Sequence, residues 1–563
     1  MVFSSYEFIF LFLPITLLIF FQIGGRGYYQ IANAWLVAAS VIFYAWWNPA
    51  YLVIMVGSIL FNYFIGLSIS RSSQSTLLGL TRKSLLTLGI IGNIALLGYY
   101  KYTNFLLSTT NKLLGTSFNL QDIILPLAIS FFTFTQIAYL VDVYRQEAKE
   151  NNAESNSVSA LRVQESGGRE SFSTAATISN VERPKPYSFL NYCQFITFFP
   201  HLLAGPIVHH KELIPQFENK AIYTANIEDI AVGLTIFASG LFKKVVFADS
   251  IAVYAIPVFE GAATGGSPTF FEAWGGAIAY SLQLYFDFSG YSDMAIGAAR
   301  MFGIKFPLNF NSPYKSLNII EFWRRWHVTL SHFLRDYLYI PLGGNRKGKL
   351  RRYINLTITM LLGGLWHGAG WTFVLWGGLH GIYLVINHQW HGFRKSLGHD
   401  LNKTRWWSRA LSCLVTFAAT VVAWVLFRAK NMTAAIAILK GMVGGNGIAI
   451  PEAIVNQVAP IKPSLTALGV TFLNEGGQTM MLTYFWILAL LFVVWFTPNT
   501  QEWLERYNPA LDHVVKTPGC WSDRFWQKLQ WQPNKIWSIC VGAIFGLGII
   551  YLVRPTEFLY FNF

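Results

Sequence analysis

Charged residues are scarce in this sequence. They fill 12% of its 563 positions, about half the share usual in soluble globular chains. So little charge cannot cover a large water-soluble body, and this outweighs the several soluble domains that length alone would suggest. Cysteine is scarcer still. Cys193, Cys413, Cys520 and Cys540 lie far apart, with no C-x-x-C pair, zinc-ligand spacing or disulfide framework among them. Acidic residues are short relative to basic ones, 28 against 42, for a formal charge of +14. No basic domain or recognised nucleic-acid-binding motif accompanies that excess, which speaks against nucleic acid as a partner. Lys and Arg gathered in the cytoplasmic loops of a membrane protein account for it better. The first apolar run, Phe8–Phe21, has no positively charged segment before it and no A-x-A cleavage site. It reads as a retained membrane helix rather than a signal peptide.

What the chain does have is apolar length. Hydrophobic residues make up 53% of it and aromatics 17%. Runs of spanning length lie near 8–23, 30–47, 51–69, 85–100, 122–143, 229–256, 269–290, 353–366, 371–388, 411–428, 481–497 and 536–553. A membrane helix needs roughly 20 mostly apolar residues. The expected fold class is therefore an all-α polytopic membrane protein, one membrane domain over residues 1–563. Arg71, Arg82 and Lys83 follow the third run and place the loop at 71–84 in the cytoplasm, with the N-terminus outside.

Residues 147–187 break the pattern. They are rich in Ser, Asn, Glu and Gly with almost no aromatics, so they bury too little apolar area to offset their ordering entropy. They are expected to form a disordered inserted loop on the cytoplasmic side. FFPHLLAGP (Phe198–Pro206) sets two prolines and a glycine inside an apolar run. That predicts a broken or re-entrant helix, tolerated in a membrane where protein or a water-filled cavity surrounds it. His209 and His210 are expected to be interfacial and solvated, and His201 to pack deeper through a hydrogen bond. The polar loops at 441–479 and 499–534 are expected to hold short amphipathic helices.

The chemistry gathers between Tyr285 and Trp371. Ionisable groups at membrane depth are costly and mark functional candidates. Asp287 and Asp293 flank Ser289 within an apolar run, and Arg300, Lys305 or a histidine would serve as their partner. Residues 319–338, set at 100° steps as one helix, put Trp323, Trp326, Leu330 and Leu334 on an apolar face. His327 falls in the middle of that face, whereas His332 falls among Arg324, Arg325, Arg335 and Asp336. Five basic residues follow within seven positions, Arg346, Lys347, Lys349, Arg351 and Arg352. Anionic lipid headgroups are the plainer partner for them, and the phosphates of a coenzyme A donor the sharper one. His367 ends the uncharged run Leu356–Trp366 and is ringed by Gly363, Gly364, Gly368 and Gly370. A neutral histidine there can take a proton from a hydroxyl or thiol, or can simply tie two helices together. His380 follows in WGGLHG. His327 and His332 face different directions, so no metal or haem spacing emerges.

These segments taken together, FFPHLLAGPI, YFDFSGYSDMAIG, NFNSPY, FWRRWHVTLSHFLRDYLYIPLGGNRKG and GGLWHGAGWTFVLWGGLHG, resemble the membrane-bound O-acyltransferase family. Within it the chain is similar to the bacterial alginate O-acetyltransferase branch, and more distantly to teichoic-acid D-alanyl transfer proteins. The resemblance covers nearly the whole chain. His201, where that branch more often has Gln, and the long insertion are departures. The resemblance implies a helical bundle with broken helices around a central tunnel, in the bacterial cytoplasmic membrane. It implies an acyl group, here acetyl, moving from a cytoplasmic thioester such as acetyl-coenzyme A to an extracytoplasmic polysaccharide or an esterase-like relay partner. No bound cofactor or metal is implied. By position, His367 and His327 match the family's two catalytic histidines. Asp287, Ser289, Asp293, Trp326, Arg346 and Lys347 are the candidate substrate-binding residues. A proton-relaying transporter or flippase would also use buried His and Asp on broken helices, and thioester cleavage separates it from a transferase.

Overall fold

The computed structural model describes residues 1–71, 81–146, 187–400, 405–511, 528–553 and 559. Nearly all of the 147–187 insertion and most of the 71–84 loop lie outside them. Among the described residues the fold is helical, apart from one short parallel strand pair, Ile448–Pro451 with Val470–Leu473. That pair, with short helices, occupies the 441–479 region where helices alone were expected. Five helical stretches among the described residues are long and apolar enough to cross a bilayer: Tyr51–Arg71, Arg82–Leu114, Ile227–Ala263, Trp406–Arg428 and Gly477–Phe496. Other expected spans are shorter, such as Tyr29–Ala45 and Lys535–Tyr551.

The chain forms two compact units. One comprises Met1–Phe21, Ala204–Val208 and Ala221–Phe563, and the other Gln22–Leu203 and His209–Lys220.

In the smaller unit the helix expected over 122–143 begins only at 129. Pro126 and a left-handed Ala128 (φ 60°) delay it. Ser58, Asn62, Asn93 and Gln136 meet inside the helices of this unit. Asn93 donates to Asn62 Oδ1 at 2.6 Å and Ser58 donates to Gln136 Oε1 at 2.8 Å. Such amide ties hold apolar helices together where hydrophobic burial cannot discriminate between partners. The run around Pro200 is broken as expected: a helix over Phe189–Thr197 ends at Phe198 and a single turn, Phe199–Leu202, follows. His210 departs from its expected solvated place. It is 1% exposed, with Nε2 3.5 Å from Asp142 Oδ2 and Nδ1 3.2 Å from the Tyr187 hydroxyl. Asp142, close to the end of the 129–146 helix, draws the imidazole in.

In the larger unit, Phe270–Met301 is the central element. It runs 32 residues, about 48 Å at 1.5 Å per residue, and almost all of it beyond Gly275 is buried. Reciprocal glycines let Ile227–Phe242 lie against it backbone to backbone. A methyl group on Gly240 would sit 2.5 Å from Gly290 O, and one on Gly297 would sit 2.5 Å from Gly233 O. Close approach through small residues is a common way for membrane helices to pack. A second pair, Gly348–His367 and Trp371–Ser396, forms a hairpin closed in the same manner. A methyl on Gly364 would strike the Phe373 carbonyl, one on Gly377 the Met360 carbonyl, and one on Gly381 would lie 3.1 Å from Thr357 Cα. Gly364, Gly377 and Gly381 thus serve helix approach.

Candidate active site

The single helix expected over 319–338 is not formed. Ile319–Trp323 and Val328–Leu334 are separate helices, and His327 stands between them in a left-handed conformation, φ 43° and ψ 56°. A non-glycine residue pays of order 1–3 kcal/mol for such a backbone and holds it only where the surroundings impose it. Here the segment upstream imposes it. Val328 N–H donates to Asn309 O, and Asn311 N–H donates to Arg325 O, both at 2.9 Å. His327 nevertheless points inward as the periodicity predicts, with 0% exposure, and His332 is exposed as expected.

The His327 side chain is oriented by the same segment. Its Nδ1 lies 3.2 Å from Asn309 Oδ1, which also accepts from Thr329 Oγ1 at 2.7 Å and from Thr329 N–H at 3.4 Å. A backbone N–H can only donate, so it fixes the amide oxygen, not the nitrogen, toward His327. Nδ1 therefore carries the proton, and the neutral ring keeps its lone pair on Nε2. Thr329 Oγ1 in turn accepts from Ile207 N–H at 3.1 Å.

His367 closes the C-terminal end of its helix and is 6% exposed. Its ring centroid lies 6.5 Å from that of His327. Aromatic edges and faces surround both. His367 meets Trp366 at 4.8 Å, Trp376 at 5.2 Å and Phe427 at 5.2 Å. His327 meets Phe288 at 4.8 Å. Trp326 packs on Trp424 at 4.9 Å, and Trp424 stacks on Trp376 at 5.6 Å. Trp326 therefore belongs to the aromatic wall around the histidine pair. Such a box excludes water and strengthens every polar interaction made inside it.

The other candidates fall elsewhere. Asp287 and Asp293 each pair with a lysine that the sequence did not single out. Lys244 Nζ sits 2.7 Å from Asp287 and 2.7 Å from Asp249. Lys243 Nζ sits 2.6 Å from Asp293, which also accepts from Thr500 Oγ1 at 2.7 Å and Gln501 Nε2 at 3.2 Å. Arg300 turns to Asp229 at 2.7 Å. The close approach of Ile227–Phe242 is what brings the two lysines within reach. Ser289 is 3% exposed, and its hydroxyl has no hydrogen-bond partner among the described residues. Arg346 and Lys347 are exposed and precede the Gly348–His367 helix. Its 20 residues span about 30 Å, so the basic loop and His367 mark opposite ends of one element.

Three residues given no role by the sequence take part in the arrangement: Asn309, Trp376 and His380. Asn309 stands in NFNSPY, eighteen positions before His327, and only the fold reveals that contact. Trp376 and His380 are four apart on one helix, which puts them on one face, and that spacing was a usable signal.

Buried histidines in an apolar box, on polytopic helices, define a membrane-embedded site suited to proton transfer from a hydroxyl. The profile described as MBOAT, membrane-bound O-acyltransferase family, matches residues 111–427, and the chain belongs to that family. It is a multi-pass membrane O-acyltransferase, which decides against the transporter alternative. The chain is 40% identical to the peptidoglycan O-acetyltransferase of Helicobacter pylori, over 100% of its own length and 98% of the relative's. It is 41% identical to the probable alginate O-acetylase of Pseudomonas putida, over 77% of this chain and 78% of that one. A teichoic acid D-alanyltransferase of Streptococcus thermophilus is 28% identical over 43% of this chain and 62% of its own.

Proposed function

We propose that this enzyme, seated in the bacterial cytoplasmic membrane, moves an acetyl group from cytoplasmic acetyl-coenzyme A to a hydroxyl of an extracytoplasmic polysaccharide. The observation that carries the reading is the pairing of His327 and His367, both buried and 6.5 Å apart within one aromatic box. Peptidoglycan is the first acceptor to test, because the relative named for it matches along the whole chain while the alginate relatives leave about a quarter unmatched. An extracytoplasmic esterase-like partner receives or relays the group in this scheme.

His367 acts as general base on the acceptor hydroxyl. The oxygen attacks the thioester carbonyl, the C–S bond breaks, and the departing thiolate takes the proton from the imidazolium. His327, held by Asn309 with its lone pair on Nε2, accepts a hydrogen bond from the donor or the acceptor and fixes its place. A neutral His327 in that tautomer offers no proton to a developing oxyanion, so it orients a substrate rather than stabilising the developing charge.

The test uses labelled acetyl-coenzyme A and membranes carrying wild-type or His367→Ala protein, with envelope material and the neighbouring proteins present. Thioester cleavage and label in polymer or protein are followed. The expected outcome is transfer that falls by three orders of magnitude or more in the variant, on the scale of a lost general base in a preorganised site, with normal insertion. Retained turnover in His367→Ala removes the assignment. Failure of the wild type to cleave the thioester under these conditions removes acetyl-coenzyme A as donor.

A further inference from the structure

The proposed reaction develops negative charge on the thioester carbonyl oxygen, and His327 is held in the wrong tautomer to meet it. Resting on the acyl-transfer reading above, we propose that His380 and Trp376 are the donors for that oxygen, an oxyanion site made from two ring N–H groups.

The argument begins with Trp323. Its indole Nε1 can only donate, and it lies 3.3 Å from His380 Nδ1. His380 Nδ1 is therefore the acceptor, and a neutral His380 must carry its proton on Nε2. That N–H is fully buried, the residue being 0% exposed, and it has no hydrogen-bond acceptor among the described residues. The indole Nε1–H of Trp376, a residue 1% exposed, is likewise buried without an acceptor among them. A buried donor left unsatisfied costs about 1–3 kcal/mol, and two on neighbouring rings is a cost that a bound acceptor would relieve.

Their placement fits the reaction. The Trp376 ring stands between the two histidines, 5.2 Å from His367 and 5.0 Å from His380, centroid to centroid. A general base about 3 Å from a hydroxyl, with that hydroxyl beside a carbonyl whose oxygen is about 3 Å from its donor, separates base and donor by roughly 6–9 Å. Two successive ring contacts span that interval. Phe322 stacks on His380 with an interplanar angle of 5° at 6.2 Å, which holds the imidazole plane and so the direction of its N–H. In the step itself the acceptor O–H proton passes to His367 and the new C–O bond forms. The carbonyl π pair moves to oxygen, where the two N–H groups meet it. Collapse restores the C=O bond, breaks C–S and returns the proton to the thiolate.

The test compares full-length wild-type, His367→Ala, His380→Leu, His380→Gln and Trp376→Phe proteins in membranes supplied with acetyl-coenzyme A and peptidoglycan. Loss of an oxyanion donor costs about 10²–10³ in kcat, and that fall is expected for His380→Leu, with KM for the donor held within about threefold. His380→Gln, which restores an N–H, is expected to recover at least about tenfold over Leu, a rescue that mere space filling would not give. Trp376→Phe is expected to lose about tenfold or more. If His380→Leu fails to insert, replacement of Trp376 by benzothienylalanine decides the matter, since it keeps the ring and lacks the N–H. Unchanged kcat in that variant, kcat of His380→Leu within about twofold of wild type, or an effect confined to KM overturns the proposal while His367-dependent cleavage leaves the acyl-transfer reading standing. A wild type that cleaves no thioester overturns both.

Discussion

Asp287 and Phe288 are neighbours on one helix and face two different kinds of buried polar group. Asp287 turns to Lys244, in a cluster where two lysines pair with three aspartates and where Thr500 and Gln501 donate to Asp293. Phe288 lays its edge against His327, beside a box where His380 and Trp376 keep N–H groups with no acceptor among the described residues. Asp287 and Lys244 are as buried as His327, His380 and Trp376. Depth of burial therefore marks each as a candidate but does not sort them. Closure does. A cluster whose charges answer one another is a tie between helices, and a cluster with donors left over is built around something that arrives.

The sharpest way to break this contrast is to open the closed cluster. Lys244→Met strands Asp249 and Asp287 at low dielectric, and removing one partner of a buried pair costs about 3–5 kcal/mol. The expected outcome is a large drop in folded protein on gel filtration in detergent. The triple variant with Asp249→Asn and Asp287→Asn should restore most of it. Activity per folded molecule should stay near wild type if the cluster is a tie between helices. If the folded fraction is normal and turnover collapses instead, the carboxylates line the chamber and the contrast fails.

Next in size is the backbone contact that creates the cluster. A methyl group on Gly290 would sit 2.7 Å from Gly240 O and 3.1 Å from Lys244 N. Gly290→Ala must push two helices apart and is expected to cost about 1–3 kcal/mol, read as a lowered melting temperature. Gly57→Ala, with nothing within 4 Å of the added atom, is the control and should leave the melting temperature unchanged.

On the histidine side, Asn309→Ala removes the acceptor that sets the His327 tautomer. A hydrogen bond of that kind contributes about 1 kcal/mol, so turnover should fall roughly five- to tenfold. Asn309→Asp keeps an acceptor at that position and should retain more activity than Ala. Equal activity in both variants would show that Asn309 does not orient the ring.

The sequence made part of this legible for identifiable reasons. Apolar periodicity survived the break between Ile319–Trp323 and Val328–Leu334, so His327 was placed inward although the single helix assumed for it does not exist. What turned the chain at His327 was a pair of backbone hydrogen bonds to Asn309 and Asn311, and spacing within one segment carries no trace of a distant strand of chain. Lys243 and Lys244 lay in a run that reads simply as apolar. Asp293 lies 50 residues beyond Lys243 and Asp287 comparably far beyond Lys244, and only the glycine contacts between the two helices bring these pairs together. His380 needed no such distant information. Its four-residue offset from Trp376 was in plain view, but nothing in the sequence shows that Trp323 dictates which nitrogen holds the proton.

The smallest effect is expected at the exposed basic loop, and it sharpens the contrast from outside. Arg346 and Lys347 precede a helix whose far end is His367, about 30 Å away by the rise per residue. At that distance they act on the arrival of an anionic donor and not on bond making. Arg346→Ala with Lys347→Ala should raise KM for acetyl-coenzyme A a few-fold and leave kcat unchanged. Because exposed charges are screened with a Debye length of about 8 Å at physiological ionic strength, the difference should shrink as salt rises toward about 0.5 M. A fall in kcat, or an effect indifferent to salt, would place the loop in the chemistry after all and would bring a third group into a site here drawn from histidines and aromatic rings alone.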